Sequence, residues 1–305
     1  MIGTGDFARR HLQVLSREPE IEIVGHVSSR PERAEAAAKE WGGRAYADAR
    51  DLVRAASPDA VWISISPAAH GGIESALIGG GVPFFVEKPV AVDLATAEAI
   101  AAQLERRPVI AAVGYHWRAM DTIPEVRSVI SRHPVRLVEG AWLDTLPPTR
   151  WWHKRATGGG QIIEQATHPI DLARSLVGGA EVLGMTESGA RSEEVDVAMA
   201  TAALLRFQNG VPGVFTATNV LEGPAAVYLR LVCDGVLITI LRDQVTYDTG
   251  RTKRDVPVRN DPIGDENRAF LAAVRSGDQS KVFCTYPEAL ESHRLCCSIA
   301  AAAKK

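Results

Sequence analysis

Short apolar runs alternate with longer amphipathic segments along the first third of the chain. Helices are predicted after Ser28-Ser29-Arg30-Pro31, at residues 69–77 and at residues 93–107, where Asp93 is a suitable N-cap. The apolar runs predict strands at residues 20–27, 59–66, 82–86 and 109–114. Strands separated by helices of about 10–15 residues indicate right-handed βαβ units and a parallel sheet.

The pattern changes after about residue 120. A helix at residues 123–132, a strand at residues 135–143 and a helix at residues 161–177 are predicted. Strand-like runs then dominate residues 180–249, with turns such as Gln208-Asn209-Gly210 and Asp234-Gly235 that indicate antiparallel hairpins. Helices at residues 265–275 and 287–303 close the chain, the second after a capping box of Thr285 and Glu288.

These elements predict an α/β protein with two domains. Residues 1–120 would form a doubly wound parallel sheet, and residues 121–305 an α+β domain with a mostly antiparallel open sheet. The last helix could pack back on the first domain.

The run Val197–Phe207 is apolar at alternate positions on both faces of its predicted strand. A strand of this kind is usually covered on both faces. Since helices of one subunit would cover only one face, we predict a homodimer or homotetramer built on the open face of the second sheet.

Composition and charge exclude several classes of protein. The chain has 305 residues and a net charge of −3, so it lacks the basic excess of a nucleic-acid-binding protein. It contains no apolar run of membrane-spanning length and no signal-peptide pattern at its start. Four cysteines without CxxC spacing or a histidine pattern predict a reducing cytoplasm, no disulfide framework and no metal site.

A GxGxxA string, Gly3-Thr4-Gly5-Asp6-Phe7-Ala8, opens the chain. Glycines in such a turn let the backbone approach a pyrophosphate at the N-terminus of the following helix, although a simple glycine-rich turn is the alternative. Only Met1 and Ile2 precede it, whereas a strand usually has five or six residues. We therefore expect the natural protein to carry further apolar residues before Met1, which an intact-mass measurement would test.

The end of the second predicted strand lacks the acidic residue that binds the ribose hydroxyls of NAD. Ser28, Ser29 and Arg30 stand there, and Arg33 follows one turn later. Hydroxyls and a guanidinium suit the 2′-phosphate of NADP, so NADP is preferred over NAD; the alternative is that both arginines only coat an exposed helix start.

Glu87-Lys88-Pro89 follows a predicted parallel strand, at the edge where open α/β sheets bind ligands. A lysine there is a candidate acid, or a cation for a developing alkoxide, although taken alone the residue is better explained as a surface lysine.

A second informative stretch runs from Gly158-Gly159-Gly160 to Asp171. In a helix, Gln161, Glu164, His168 and Asp171 would share one face. Spacing alone favours a solvated polar stripe, and no HExxH motif or cysteine partner supports a metal site.

Together these motifs and Gly114-Tyr115-His116-Trp117-Arg118 resemble the Gfo/Idh/MocA oxidoreductase family, in the same order and across essentially the whole chain. The resemblance implies a Rossmann domain, a C-terminal domain with an open sheet, and hydride transfer between NAD(P) and a sugar, polyol or related carbonyl. It implies that Lys88 is the catalytic lysine and that His168 is the acid/base, an imidazole that ionises near about pH 6.5 when unperturbed. Glu164 would orient the substrate or His168, although many members carry aspartate there; Trp117 replaces a residue that is often basic.

Further roles follow from the same resemblance. Ser66, Pro67 and His70 would line the cofactor side, together with Glu87 and Lys88, and the Lys88–Pro89 bond would be cis. The expected substrate contacts are Lys88, His116, Trp151, Trp152, Glu164 and His168. Trp151 and Trp152 could stack on a sugar face or form a hydrophobic plug.

Two other functions fit the same residues. One is an NAD(P)-dependent lyase or glycosidase, in which the cofactor is oxidised and reduced again within one turnover. The other is a cofactor-binding regulatory protein without catalysis, which the presence of Lys88 and His168 disfavours.

Overall fold

The computed structural model describes residues 1–302. Its strands are β1 (Gly25–Val27), β2 (Arg44–Tyr46), β3 (Val61–Ile63), β4 (Phe84–Val86), β5 (Ala111–Val113), β6 (Val135–Leu143), β7 (Ala180–Glu187), β8 (Ala200–Phe207), β9 (Pro212–Thr218), β10 (Ala226–Cys233), β11 (Val236–Ile240), β12 (Gln244–Asp248) and β13 (Lys253–Pro257). Its α-helices are α1 (Asp6–Leu15), α2 (Pro31–Trp41), α3 (Ala49–Ala56), α4 (Gly72–Gly80), α5 (Leu94–Arg106), α6 (Ile123–Ile130), α7 (Arg155–Gly158), α8 (Gln161–Glu164), α9 (Thr167–Val177), α10 (Pro262–Ser276) and α11 (Tyr286–Ala302). None of these helices is long and apolar enough to cross a membrane.

The chain folds into two compact units. Unit 1 comprises Met1–Ala119 and Asp261–Leu290, and unit 2 comprises Met120–Asn260 and the chain from Glu291 onward. The predicted division into residues 1–120 and 121–305, with a last helix that could pack back on the first domain, stays a prediction. The C-terminal segment of unit 1 contains α10 and only the first residues of the last helix, α11. That segment returns because Phe270 of α10 packs against the apolar side chains of Trp62 and Phe85.

The sheet of unit 1 is parallel. β1 pairs with β2, and β3, β4 and β5 pair in that order. Ile2 forms parallel bridges to both Val27 and Ile63 and so connects the two groups. Strands β1, β3, β4 and β5 are buried along their whole length, as expected for a sheet covered by helices on both faces. The predicted Rossmann-type architecture is confirmed.

Unit 2 contains the eight-stranded sheet β13-β12-β11-β10-β6-β9-β8-β7. All neighbouring strands are antiparallel except β6 and β9. The hairpins predicted at residues 208–210 and 234–235 join β8 to β9 and β10 to β11. The mostly antiparallel sheet is therefore confirmed.

Several predicted elements have different limits. The helix predicted at residues 161–177 is two helices, α8 and α9, because Pro169 has no N–H to donate and its ring would clash with the carbonyl of Gln165 in a continuous helix. The Ala166 N–H instead bonds to the Gln161 carbonyl at 2.8 Å.

The other differences occur at element ends. The helix predicted at residues 69–77 begins at Gly72, because Gly71 adopts a φ of +111° and its N–H donates to Glu74 at 2.7 Å. The strand predicted at residues 20–27 is paired only over Gly25–Val27. The capping box is confirmed, since the Thr285 N–H donates to Glu288 and the Glu288 N–H donates to the Thr285 hydroxyl. Residue 303, the predicted end of the last helix, lies outside the described residues.

Candidate functional site

Gly3 lies between the carboxyl ends of β1 and β3. Its N–H donates to the Val27 carbonyl at 2.9 Å, and the Ser64 N–H donates to the Ile2 carbonyl at 2.8 Å. Gly3 adopts a φ of +100°, and a Cβ there would lie 1.8 Å from the Ser64 carbonyl oxygen. Only glycine fits this position, because both the backbone angle and the space exclude a side chain.

Gly5 leaves open space in front of α1. It is the N-cap of the helix and makes no side-chain capping bond, and a Cβ at this position would meet nothing within 4 Å. Ala8, by contrast, is fully buried beneath the turn. A helix N-terminus with uncapped N–H groups attracts anions, so the turn suits the diphosphate of a dinucleotide. The cofactor-binding role of Gly3, Gly5, Asp6, Phe7 and Ala8 stays a prediction.

Hydroxyl groups and arginines surround the end of β1. The Thr4 and Ser28 hydroxyl oxygens lie 3.1 Å apart, and the Ser28 oxygen accepts the Arg30 N–H at 3.4 Å. Arg30 is the N-cap residue of α2, and Ser29, Arg30 and Arg33 are exposed. This region offers donors and positive charge but no carboxylate from the residues predicted to hold the ribose.

The segment after β3 places a buried hydrogen bond between a histidine and a glutamate next to the predicted cofactor residues. Ser66 is half-buried and precedes a 3₁₀ turn that begins at the buried Pro67. His70 Nδ1 lies 2.6 Å from a carboxylate oxygen of Glu74, and both side chains are buried. His70 is thus held in place by its hydrogen bond to Glu74. Burial, together with the charge of Glu74, also raises the pKa of Tyr286 above its usual range.

Glu87 and Lys88 follow β4 at the same edge of the sheet as the Gly3–Gly5 turn. Glu87 is buried and its carboxylate lies 2.9 Å from His11 Nε2, whereas Lys88 is half-buried. The Lys88–Pro89 peptide bond is cis, as predicted. His116, which like Lys88 is a predicted substrate residue in unit 1, is half-buried in a 3₁₀ turn after β5. Arg118 in that turn is buried and pairs with Glu288 at 3.5 Å.

In unit 2, the polar face predicted for residues 161–171 is buried. Gln161, His168 and Asp171 are each at most 3% exposed, so the solvated-stripe explanation is wrong for these residues. Asp171 accepts a hydrogen bond from the Ser292 hydroxyl at 2.5 Å. The His168 ring stacks on Trp142, with centroids 6.0 Å apart and an interplanar angle of 20°. Burial of a polar group costs free energy unless the group has a hydrogen-bond partner.

Trp152 connects the glycine-rich segment to Glu164. Its ring is 1% exposed, and its indole N–H donates to a Glu164 carboxylate oxygen at 2.9 Å. This arrangement suits a residue that positions Glu164 better than one that stacks on a sugar. Trp151 is only half-buried, so its ring retains an accessible part.

Three residues that contact the predicted site residues were missed by sequence reasoning. Trp142 ends a strand and carries no motif, although an aromatic residue at a strand end is a weak signal for a site. His11 and Glu266 lie on helices whose sequences predict only amphipathic packing. Each contact depends on a partner distant in sequence.

Comparison with known proteins gives a consistent result for both parts of the chain. Residues 1–115 match the family model of the GFO/IDH/MocA oxidoreductases, described as an oxidoreductase family with an NAD-binding Rossmann fold. Residues 125–238 match the model of the GFO/IDH/MocA C-terminal domain.

One curated relative and two solved structures illustrate the similarity. A 4-carboxy-2-hydroxymuconate-6-semialdehyde dehydrogenase of Sphingobium sp. (strain NBRC 103272 / SYK-6) is 23% identical over 286 residues, which are 91% of this chain and 90% of that protein. KijD10, a 3-ketoreductase from Actinomadura kijaniata in complex with NADP and TDP-benzene, has a TM-score of 0.87 at 20% identity over 99% of this chain and 96% of its own. A levoglucosan dehydrogenase in complex with NADH and levoglucosan has a TM-score of 0.85 at 19% identity, with the same coverage. At these identities the two structures show a shared fold.

Both matched segments point to one family, and the fold agrees with it in the glycine turn at the edge of a parallel sheet and in the open, mostly antiparallel sheet. The chain therefore belongs to the GFO/IDH/MocA family of NAD(P)-binding oxidoreductases.

Proposed function

We propose that this oxidoreductase interconverts a hydroxyl carbon and a carbonyl carbon of a sugar or polyol, with NADP as its preferred cofactor. The observation that carries the proposal is the position of Lys88 at the carboxyl end of β4, on the same sheet edge as the Gly3–Gly5 turn. Ligands of open α/β sheets bind at that edge. The names of KijD10 and levoglucosan dehydrogenase support a sugar-like substrate and a nicotinamide cofactor.

A bound nicotinamide supplies the hydride acceptor or donor. The ammonium group of Lys88 donates a hydrogen bond to the substrate oxygen and stabilises its alkoxide character. His168 accepts the hydroxyl proton during oxidation and returns it during reduction. The stack on Trp142 fixes the plane of the His168 ring, so the ring keeps one orientation while its proton is transferred.

Glu164 orients the substrate through a carboxylate that the Trp152 indole holds. Charge-assisted hydrogen bonds of this kind are stronger than neutral ones, so the carboxylate loses little freedom when a substrate hydroxyl donates to it. This arrangement accommodates glutamate at a position where many family members carry aspartate.

The direct test is a panel of sugars and polyols with each nicotinamide cofactor, followed by product analysis. Stoichiometric change of cofactor and substrate supports the proposal. Cleavage of the substrate without net change of the cofactor indicates the lyase or glycosidase alternative. Tight cofactor binding without turnover of any substrate, together with unchanged binding in Lys88→Met, indicates a regulatory protein.

If NADP is the preferred cofactor, substitution of Arg30 should weaken the binding of NADPH and not that of NADH. Arg30→Ala removes a charge-assisted contact worth about 1.5–3 kcal/mol, so NADPH affinity is expected to fall by about 10- to 100-fold while NADH affinity stays unchanged. Fluorescence titration of both cofactors measures this, with Arg50→Ala, an exposed arginine on α3, as the control. NADH binding at least as tight as NADPH, with no effect of Arg30→Ala, would contradict the preference.

We also propose a homo-oligomer built on the open face of the unit 2 sheet, in a cytoplasmic protein. Along β8 one face is buried, whereas Leu204 on the other is 45% exposed and lies opposite Val214, which is 38% exposed. Neighbouring exposed apolar side chains of this kind are typical of interfaces. In light scattering at micromolar concentration we expect a dimer or tetramer, and a monomer for Leu204→Lys; Lys253→Glu on the edge strand β13 should leave the mass unchanged. A monomeric wild-type protein would refute the interface.

A further inference from the structure

A buried polar cluster lies beneath the predicted cofactor edge of unit 1, and no step of the proposed reaction uses it. It consists of His11 on α1, Glu87 after β4, Glu266 and Asn267 on α10, and Trp62 in β3. His11 and Asn267 are fully buried, and Glu266 is 4% exposed. One ligand atom from each of His11, Glu87 and Glu266 lies within 4.8 Å of the other two.

The hydrogen bonds of the cluster determine which ring nitrogen of His11 carries a proton. The Trp62 indole can only donate, and it donates to the Asn267 amide oxygen at 2.7 Å. The Asn267 amide nitrogen therefore donates its two hydrogens, one to the Ile263 carbonyl at 2.6 Å and one to His11 Nδ1 at 2.9 Å. The amide oxygen is also 3.1 Å from Nδ1 and has a second lone pair, but a hydrogen on Nδ1 would face the second amide hydrogen of Asn267 and leave it without an acceptor.

His11 Nδ1 is thus an acceptor, so Nε2 carries the hydrogen. That Nε2–H donates to Glu87 Oε1 at 2.9 Å, so this oxygen of Glu87 is the acceptor. The chain of hydrogen bonds from Trp62 through Asn267 and His11 therefore ends on Glu87.

Glu266, unlike Glu87, has a carboxyl oxygen without a hydrogen-bond donor among the described residues. This oxygen, Oε1, is buried. Burial first, and the negative charges of Glu87 and Asp261 second, raise the pKa of Glu266 well above its usual range. A second buried carboxylate beside Glu87 would be uncompensated, so a proton on Glu266 is the less costly state.

Arg118 and Arg268, on the elements around Glu266, are paired with other carboxylates and do not offset a negative charge on Glu266. α10 packs against α1, which carries His11 and is followed by Glu18. It also packs against the turn that carries His116 and Arg118. Arg268 of α10 pairs with Asp265 at 2.6 Å and with Glu18 at 3.6 Å. Arg118 pairs with Glu288.

Glu87 connects this cluster to the proposed catalytic lysine. It immediately precedes Lys88, and its N–H donates to the Ile63 carbonyl at 2.9 Å. Its carboxylate also lies against Gly114, where a Cβ would be 2.6 Å from Glu87 Oε1. One side chain therefore contacts α1 and the end of β5 at the point where the chain turns into Lys88.

We propose that Glu87 is a positioning residue for Lys88, held in place by the hydrogen bond from His11, and that Glu266 stays protonated beside it. The proposal rests on the role of Lys88 proposed above. The competing state is a divalent cation between His11, Glu87 and Glu266, which would replace the proton on Glu266. The protonated state and the metal-bound state differ in how stability depends on pH and in metal content.

The first experiment measures the unfolding free energy against pH for the wild type and Glu266→Gln, which mimics the protonated acid. The folded protein keeps a proton that the unfolded chain releases above about pH 4.5, so wild-type stability falls as the pH rises from there through the folded pKa. Glu266→Gln lacks this titration, so its advantage over the wild type should grow with pH. Glu222→Gln, at an exposed position of unit 2, should follow the wild-type profile.

Parallel profiles of the wild type and Glu266→Gln would overturn the proton assignment. So would binding of one equivalent of Zn²⁺ by the wild type that Glu266→Gln abolishes. Neither result depends on activity, so both are separate from failure of the proposed function.

The second experiment tests positioning. His11→Leu removes the donor to Glu87, and a displaced Lys88 should lower kcat by about 10- to 100-fold while cofactor affinity stays unchanged. His11→Gln, which keeps an N–H donor, should restore most of kcat; the same kcat for both variants would overturn the positioning role. If His11→Leu does not fold, His11→Gln is compared with His11→Ala and the first experiment still decides the protonation. Lys88→Met with wild-type turnover would refute the proposed function and leave the first experiment valid.

Discussion

Lys88→Met is expected to lower kcat by about 10²–10³-fold with little change in cofactor affinity. Methionine keeps much of the length and apolar stem of lysine but cannot donate to a developing alkoxide, and removal of one such donor costs roughly this much. Because Lys88 is half-buried at the end of β4, the substitution should not disturb the core of the sheet. Steady-state kinetics and cofactor titration measure the two quantities separately.

His168→Ala is the companion variant, with an expected loss of about 10²–10⁴-fold in kcat from the missing acid/base. It also removes a buried ring from its stack on Trp142, so its stability must be measured beside its activity. His168→Asn, which keeps a polar planar group, should be equally inactive. Lys281→Met at an exposed position and His133→Ala at a half-buried one serve as controls. Activity within a few-fold of the wild type in either site variant would contradict the mechanism.

Gly3→Ala is expected to have the largest effect on folding. A left-handed conformation costs a residue with a Cβ about 1–2 kcal/mol, and overpacking a tight site costs about 1–3 kcal/mol more. The obstruction here is the Ser64 carbonyl, a backbone atom next to the sheet, so relaxation is limited. We therefore expect a loss of about 2–5 kcal/mol in urea unfolding, together with loss of cofactor binding.

Gly5→Ala is the matched control for that variant. Its φ of −81° is accessible to alanine, and a Cβ meets nothing within 4 Å. Stability should change by no more than about 1 kcal/mol, as for substitutions at an N-cap. Cofactor affinity should nevertheless fall, because the methyl group would enter the space assigned to the diphosphate. Equal destabilisation by the two substitutions would contradict the steric role of Gly3.

Local sequence predicted the features that depend on neighbouring residues. Asp93 accepts the Thr96 N–H at 2.8 Å as the N-cap of α5. Apolar runs between helices predicted the parallel sheet, and glycine turns predicted the hairpins of unit 2. Pro169 stands in the sequence, but the amphipathic pattern continues on both sides of it and so predicts one helix over residues 161–177. Helix and strand type follow from periodicity, whereas element ends depend on single hydrogen bonds.

Burial of the candidate site required the tertiary structure. The spacing of Gln161, His168 and Asp171 is the same on a solvated helix and on a buried one, so periodicity could not distinguish them. Their partners come from elsewhere: Trp142 is in β6, and Ser292 is in α11. The hydrogen bond from Trp152 to Glu164 likewise required the folded chain.

By itself the sequence determined the order of strands and helices, the glycine turn before α1, the basic character after β1 and the position of Lys88 after a parallel strand. These features depend on residues close together in the chain, where side-chain size, period and backbone preference act directly. Only the tertiary structure decided the partners of His11, Glu87, Glu266 and Asn267, because α10 joins the first sheet only after all of Met120–Asn260 has intervened. The charge state of a buried carboxyl depends on such distant neighbours, and burial then makes each of them count more than it would in water.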